Sequence, residues 1–107
     1  MGGGSSTVEE VVESTVSGFV AECFWPDVNE QVVLAAGARI VGCIEALGLP
    51  GAEIRYRGSI LLREDEVVLC QFEGTAAAVR EVVQCAEVPF ERILASTIYP
   101  AQGGQAT

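Results

Sequence analysis

Arg55 and Arg57, and across an acidic turn Gln71 and Glu73, are the residues whose types and spacing could do chemistry. They lie in a stretch that reads as two strands, running from about residue 53 to residue 73. Side chains alternate faces along a strand. With Tyr56 opposite Phe72 and Ile60 opposite Val68, one side carries Ile54, Tyr56, Ile60, Val68, Cys70 and Phe72, and the other carries Arg55, Arg57, Gln71 and Glu73. Glu22, flanked by Val20 and Phe24 on an earlier strand, falls on the same polar side and is expected near Gln71 or Glu73. Arginines so placed can orient a carboxylate, phenolate or carbonyl oxygen. A carboxylate beside another in a partly dry cavity has a raised pKa and can act as a general acid or base. An adjacent guanidinium would then stabilise a developing oxyanion.

Glu22 and Glu73 are therefore candidate acid/base groups, and Arg55, Arg57 and Gln71 candidate ligand-binding groups. Leu61, Val67 and Leu69 are expected on the same face, where they would hold the apolar body of a small molecule, with Phe24 at the rim. The simpler reading makes these charges cross-strand ion pairs, each worth at most ~1 kcal/mol, on a face used only for assembly. A site of carboxylates alone, Glu22 with Glu73 and Gln71, would suit a hard cation. Arg55 and Arg57 oppose it electrostatically, and no metal is expected.

The rest of the composition narrows the field. A chain of 107 residues, half of them apolar, is one globular domain with its own core. A net charge of −9 excludes nucleic acid and anionic membrane surfaces as natural partners, since both require a positive footprint. The chain contains neither Lys nor His. Schiff-base chemistry, Ser/Cys–His systems and His-ligated metals are thereby excluded within one chain. Cys23, Cys43, Cys70 and Cys85 form no C-x-x-C pair and sit within apolar patterns, so all four are expected as buried, reduced thiols. "MGGGSS" lacks a basic or apolar signal region, and the apolar run from Val32 to Ile44 is interrupted by Arg39 and too short to span a bilayer. The cytoplasm is the expected compartment.

These residues need a frame to hold them. Residues 1–17 read as a leader with a short helix over "TVEEVVEST". "GFVAECF" is a strand. Asp27 is expected to cap a long helix, with Glu30 as its reciprocal partner, and Gly48 and Pro50 end that helix after Leu47. Val33, Ala36, Gly37, Ile40, Ile44 and Leu47 suffice to cover a sheet. Val32, Leu34, Ala35, Ala38 and Val41 are then surplus, available to the N-terminal segment or to another subunit. After the hairpin, Thr75 caps a second helix with Val79, Val82, Val83 and Ala86 as its buried stripe, and "FERILASTIY" is the last strand. Residues 101–107 are a tail. The order β-α-β-β-α-β predicts an α+β, ferredoxin-like domain over residues 18–100: a four-stranded antiparallel sheet with both helices on one face.

"FVAECFWPDVNE", "EDEVVLCQFEG" and "VPFERIL" together resemble a family of small actinobacterial proteins typified by a nickel-responsive, nickel-binding protein. The resemblance covers roughly residues 19–95. It implies a homodimer of the α+β barrel type, in which two sheets face each other across a cavity. It does not carry nickel over, because that metal site relies on His and this chain has none. Three functions fit these readings. The first is a small-molecule-binding dimer. The second is a cofactor-free isomerase or cyclase acting on a natural-product-like substrate. The third is a dimerisation module without a ligand.

Overall fold

The computed structural model describes residues 15–101, in which six elements alternate in the expected order. They are β1 (Val16–Phe24), α1 (Glu30–Leu47), β2 (Ile54–Leu62), β3 (Val67–Gly74), α2 (Ala76–Cys85) and β4 (Phe90–Ile98). The strands form one sheet in the order β2-β3-β1-β4, with every neighbouring pair antiparallel. Both helices pack on the same side, giving the ferredoxin-like α+β arrangement. β1 begins at Val16, so Val16 and Ser17 belong to the sheet and not to the leader. The helix expected over "TVEEVVEST" and the tail beyond residue 101 lie outside the described residues.

The ends of the helices show where local chemistry decides and where it does not. Thr75 caps α2 as its type predicts, its hydroxyl accepting from the Ala78 N–H at 3.1 Å. Asn29, and not Asp27, caps α1: its side-chain oxygen accepts from the Val32 N–H at 2.9 Å. Asp27 takes a left-handed conformation with φ of 62°. Its N–H donates to the Glu66 carboxylate at 2.8 Å, and the Trp25 N–H donates to the Glu66 carbonyl at 2.8 Å. These bonds pin the β1–α1 loop to the β2–β3 turn, so the helix starts later than the sequence alone suggests. Gly48 ends α1 in the left-handed region, where the absence of a Cβ removes the steric penalty.

The core lies between the helices and one face of the sheet. Ala21, Cys23, Ile54, Val68, Cys70 and Phe72 meet Ala36 and Ile40 of α1 and Ala78, Val79, Val82 and Val83 of α2. Tyr56 stacks obliquely on Phe72, with ring centroids 5.4 Å apart, and its hydroxyl shares a 2.6 Å hydrogen bond with Ser59. Leu34 and Val41 on the outer side of α1 stay exposed, as the surplus of apolar residues there predicts. Leu47, expected to cover the sheet, is also exposed.

Two further expectations are overturned. The first is the register of the hairpin. Tyr56 does oppose Phe72, but a bulge follows at Arg57, and Gly58 then opposes Gln71 with φ of 119°. One extra residue on β2 flips every later side chain to the other face. Ile60 therefore opposes Leu69 on the open face, and Leu61, expected there, opposes Val68 and packs against the core. The second is the cysteine chemistry. Cys23 and Cys70 are buried free thiols, as expected, but Cys43 of α1 and Cys85 of α2 form a disulfide, with Cα atoms 6.0 Å apart. Spacing along the chain conceals this pair because the two helices meet only in the folded domain.

Candidate functional site on the open sheet face

Alternation along the four strands assigns the open face directly. β1 contributes Gly18, Val20, Glu22 and Phe24, and β3 contributes Val67, Leu69, Gln71 and Glu73. β2 adds Arg55, Ile60 and Leu62, with Arg57 at the bulge, and β4 adds Arg92, Leu94, Ser96 and Ile98. Gly18 is required by close approach: a Cβ there would collide with the Phe72 carbonyl oxygen of the neighbouring strand.

Two ion pairs organise the charge. Arg57 donates to the Glu73 carboxylate, although Arg55 is the residue directly across the ladder from Glu73. The bulge carries Arg57 far enough along to make that contact. Among the described residues Arg55 has no ion pair, and it is exposed. On the other half of the face, the Arg92 Nε donates to Glu22 at 2.6 Å, with Arg92 directly opposite Glu22 in the β1–β4 ladder. This hydrogen bond, together with the attraction of the carboxylate, raises the pKa of Arg92 above its ordinary value.

The candidates are thus only partly brought together. Arg55, Arg57, Gln71 and Glu73 cluster as expected at one end. Glu22 does not join them: it opposes Leu69, four residues along β3 from Glu73. At about 3.3 Å per residue the two carboxylates stand roughly 13 Å apart along the strand. They are too far apart to share a proton, and each is already engaged by an arginine. Among the described residues, no group of three or more potential metal ligands converges.

Apolar side chains fill the remainder. Phe24, Val67 and Leu62 form one cross-strand row, and Leu69 with Ile60 the next. Val67 is buried yet lies outside the core cluster, shielded by its own neighbours on the open side. Phe24, Ile60, Leu62, Leu94 and Ile98 are large hydrophobics left exposed, and all five are on this face. A recess of about 460 Å³, lined by Leu61, Leu62, Arg63, Glu64 and Asp65, lies at the β2–β3 turn, beyond the end of the face.

Arg92, Ile60, Leu62 and Leu94 were missed in the sequence. Ile60 could have been found from Gly58, since a glycine inside a strand marks a possible bulge. Arg92 carried no local signal, because its partner Glu22 is 70 residues away.

On the covered side, the hydrogen bond between the two thiols and burial push the Cys23 thiol up, while the same bond draws the Cys70 thiol down to about 7. Among the described residues, no helix is long and apolar enough to cross a membrane. No family model matches the chain, and no curated protein matches it significantly.

Proposed function

We propose that the chain is a small-molecule-binding homodimer, with the open sheet faces of two copies enclosing the ligand. One observation carries this reading: five exposed large hydrophobics share a single face with Arg55, which has no ion pair among the described residues, in a molecule that is otherwise strongly acidic. Three of the six arginines, Arg55, Arg57 and Arg92, lie on that face against two of the fifteen carboxylates, Glu22 and Glu73. In a chain of net charge −9, this face is suited to an anionic group joined to an apolar body. Arg55 holds the anion in this reading, and Ile60, Leu62, Leu69 and Leu94 receive the apolar part. The resemblance to dimeric barrels points the same way.

The alternative of cofactor-free acid/base catalysis needs a carboxylate released from arginine and desolvated. Glu22 and Glu73 are both held by guanidinium groups and are separated from each other, which favours binding over an isomerase or cyclase. We take the cytoplasm as the working compartment.

Native mass spectrometry of protein purified from its own host tests this reading. The expected result is a species of twice the 11.2 kDa chain mass carrying a small adduct. The adduct should be lost on Arg55→Gln, with the dimer kept. A ligand-free dimer would leave only the assembly module. A ligand-free monomer would overturn both.

A further inference from the structure

We propose that Cys43–Cys85 is a reversible thiol–disulfide exchange site at which small intracellular thiols of the glutathione type attack Cys85, opening and closing a clasp between α1 and α2. Four observations converge on it. The bond joins the two helices and no other elements, so its state governs how firmly α1 is held to the rest of the helix layer. Its two sulfurs differ in access, with Cys85 exposed and Cys43 half-buried, so an incoming thiolate reaches Cys85 and displaces Cys43. The chain's other two thiols, Cys23 and Cys70, are fully buried and cannot compete.

The fourth observation is a second clasp that keeps the cysteines close when the bond is open. Arg39, one helical turn before Cys43, reaches across to α2, where its Nε donates to the carbonyl of Ala86 at 2.9 Å. Ala86 follows Cys85 directly. This contact is independent of the disulfide, and it brings a fixed positive charge to the end of α2, where a thiolate would form.

The chemistry balances without any further reactant. A small thiolate attacks the Cys85 Sγ, the S–S bond breaks, and the Cys43 sulfur leaves as a thiolate and takes a proton from water. Cys85 is left in a mixed disulfide. A second small thiolate attacks the small-molecule sulfur of that mixed disulfide, releasing Cys85 and forming a small disulfide. Two electrons pass from two small thiols to the protein, and the reverse sequence, with the small disulfide as oxidant, restores the bond.

Opening the clasp loosens α1, which contacts the sheet chiefly along β2. Gly37 sits over the Tyr56 ring there, so closely that a Cβ would lie 3.3 Å from the Tyr56 hydroxyl. Tyr56 lies between Arg55 and Arg57 on β2, so a loosened α1 weakens the backing of the strand that carries both arginines.

The test uses the full chain under native conditions in buffers of graded glutathione to glutathione-disulfide ratio, with brief alkylation of the folded protein, then acid quench and peptide mapping. Cys43 and Cys85 should gain label together, in a graded and reversible way, while Cys23 and Cys70 stay unlabelled. Amide hydrogen exchange should rise in α1 on reduction and stay unchanged in β1 and β3. In Cys43→Ser the remaining Cys85 should take up one glutathione. Arg39→Gln should slow re-oxidation at least several-fold without altering which cysteines pair. Three results overturn the proposal: no label on Cys43 or Cys85 without denaturant, simultaneous labelling of all four cysteines, or no bond at the most oxidising ratio.

Discussion

The two faces of the sheet are built from the same four strands and meet opposite fates. On the covered face the central inward positions find partners: Cys23, Val68 and Cys70 are sealed beneath Ile40, Val79, Val82 and Val83. On the open face the same alternation delivers Phe24, Ile60, Leu62, Leu94 and Ile98 to solvent, interleaved with two arginine–glutamate pairs and with Arg55, which has no ion pair among the described residues. The contrast separates what the fold needs from what it leaves available. Covering one face builds the core, and the exposed apolar residues of the other are the surface that the proposed homodimer would bury.

Substitutions can sharpen this contrast, beginning with the largest effect. Phe72→Ala empties a fully enclosed site beneath Tyr56 and should cost about 3–5 kcal/mol in urea-induced unfolding. The same truncation at Leu94, on the open face, should change unfolding of the isolated subunit by only about 0.5 kcal/mol. Similar costs at the two positions in the monomer would erase the distinction between the faces. Gly18→Ala probes the boundary between them: its Cβ would force β1 away from the Phe72 backbone, at a cost of about 1–3 kcal/mol. A neutral effect there would show that the strand approach is slack.

Burial raises the Tyr56 phenol above its ordinary value of 10.0, with the Ser59 hydrogen bond opposing. The folded pKa then exceeds the unfolded one, so this contribution is complete below about pH 10 and falls as the pH rises from there toward the raised folded value. Urea midpoints should drop along that alkaline limb, and Tyr56→Phe should flatten it. An unchanged slope in Tyr56→Phe would mean that the ring is not masked by α1. The smallest effect belongs to Glu22→Gln. Because the Arg92 side chain is 63 % exposed, water screens its ion pair, and the urea midpoint should hardly move. A larger loss would give the open-face charges a structural role that the comparison denies them.

The legible features of this chain were the ones that act over short range. Thr75 was identifiable as a cap because its hydroxyl serves an N–H three residues on, and the inward stripe of α2 followed from helical period alone. Asp27 looked equally good as a cap, but its loop is controlled by Glu66, 39 residues away. The faces of β3 were read correctly because no bulge intervenes between Val67 and Glu73. Those of β2 were read correctly only as far as Tyr56, because the extra residue at Arg57 is absorbed next to Gly58. The Glu22–Arg92 pair and the Cys43–Cys85 bond had no local trace. Each joins elements whose register is set by packing of the whole domain and by no connecting turn. The candidate site was therefore half visible, with its Arg55–Glu73 end on the hairpin and its Arg92 end reached only through the fold.

The central claim is that the open face receives a second copy of the chain. Sedimentation equilibrium at micromolar concentration tests it most directly, on the wild-type protein and on Leu69→Arg, which sets an unpaired charge in the middle of that face. The account predicts twice the 11.2 kDa chain mass for the wild type and the single-chain mass for a folded Leu69→Arg. A wild-type protein that sediments as a single chain throughout, or a Leu69→Arg variant that stays dimeric, would contradict it.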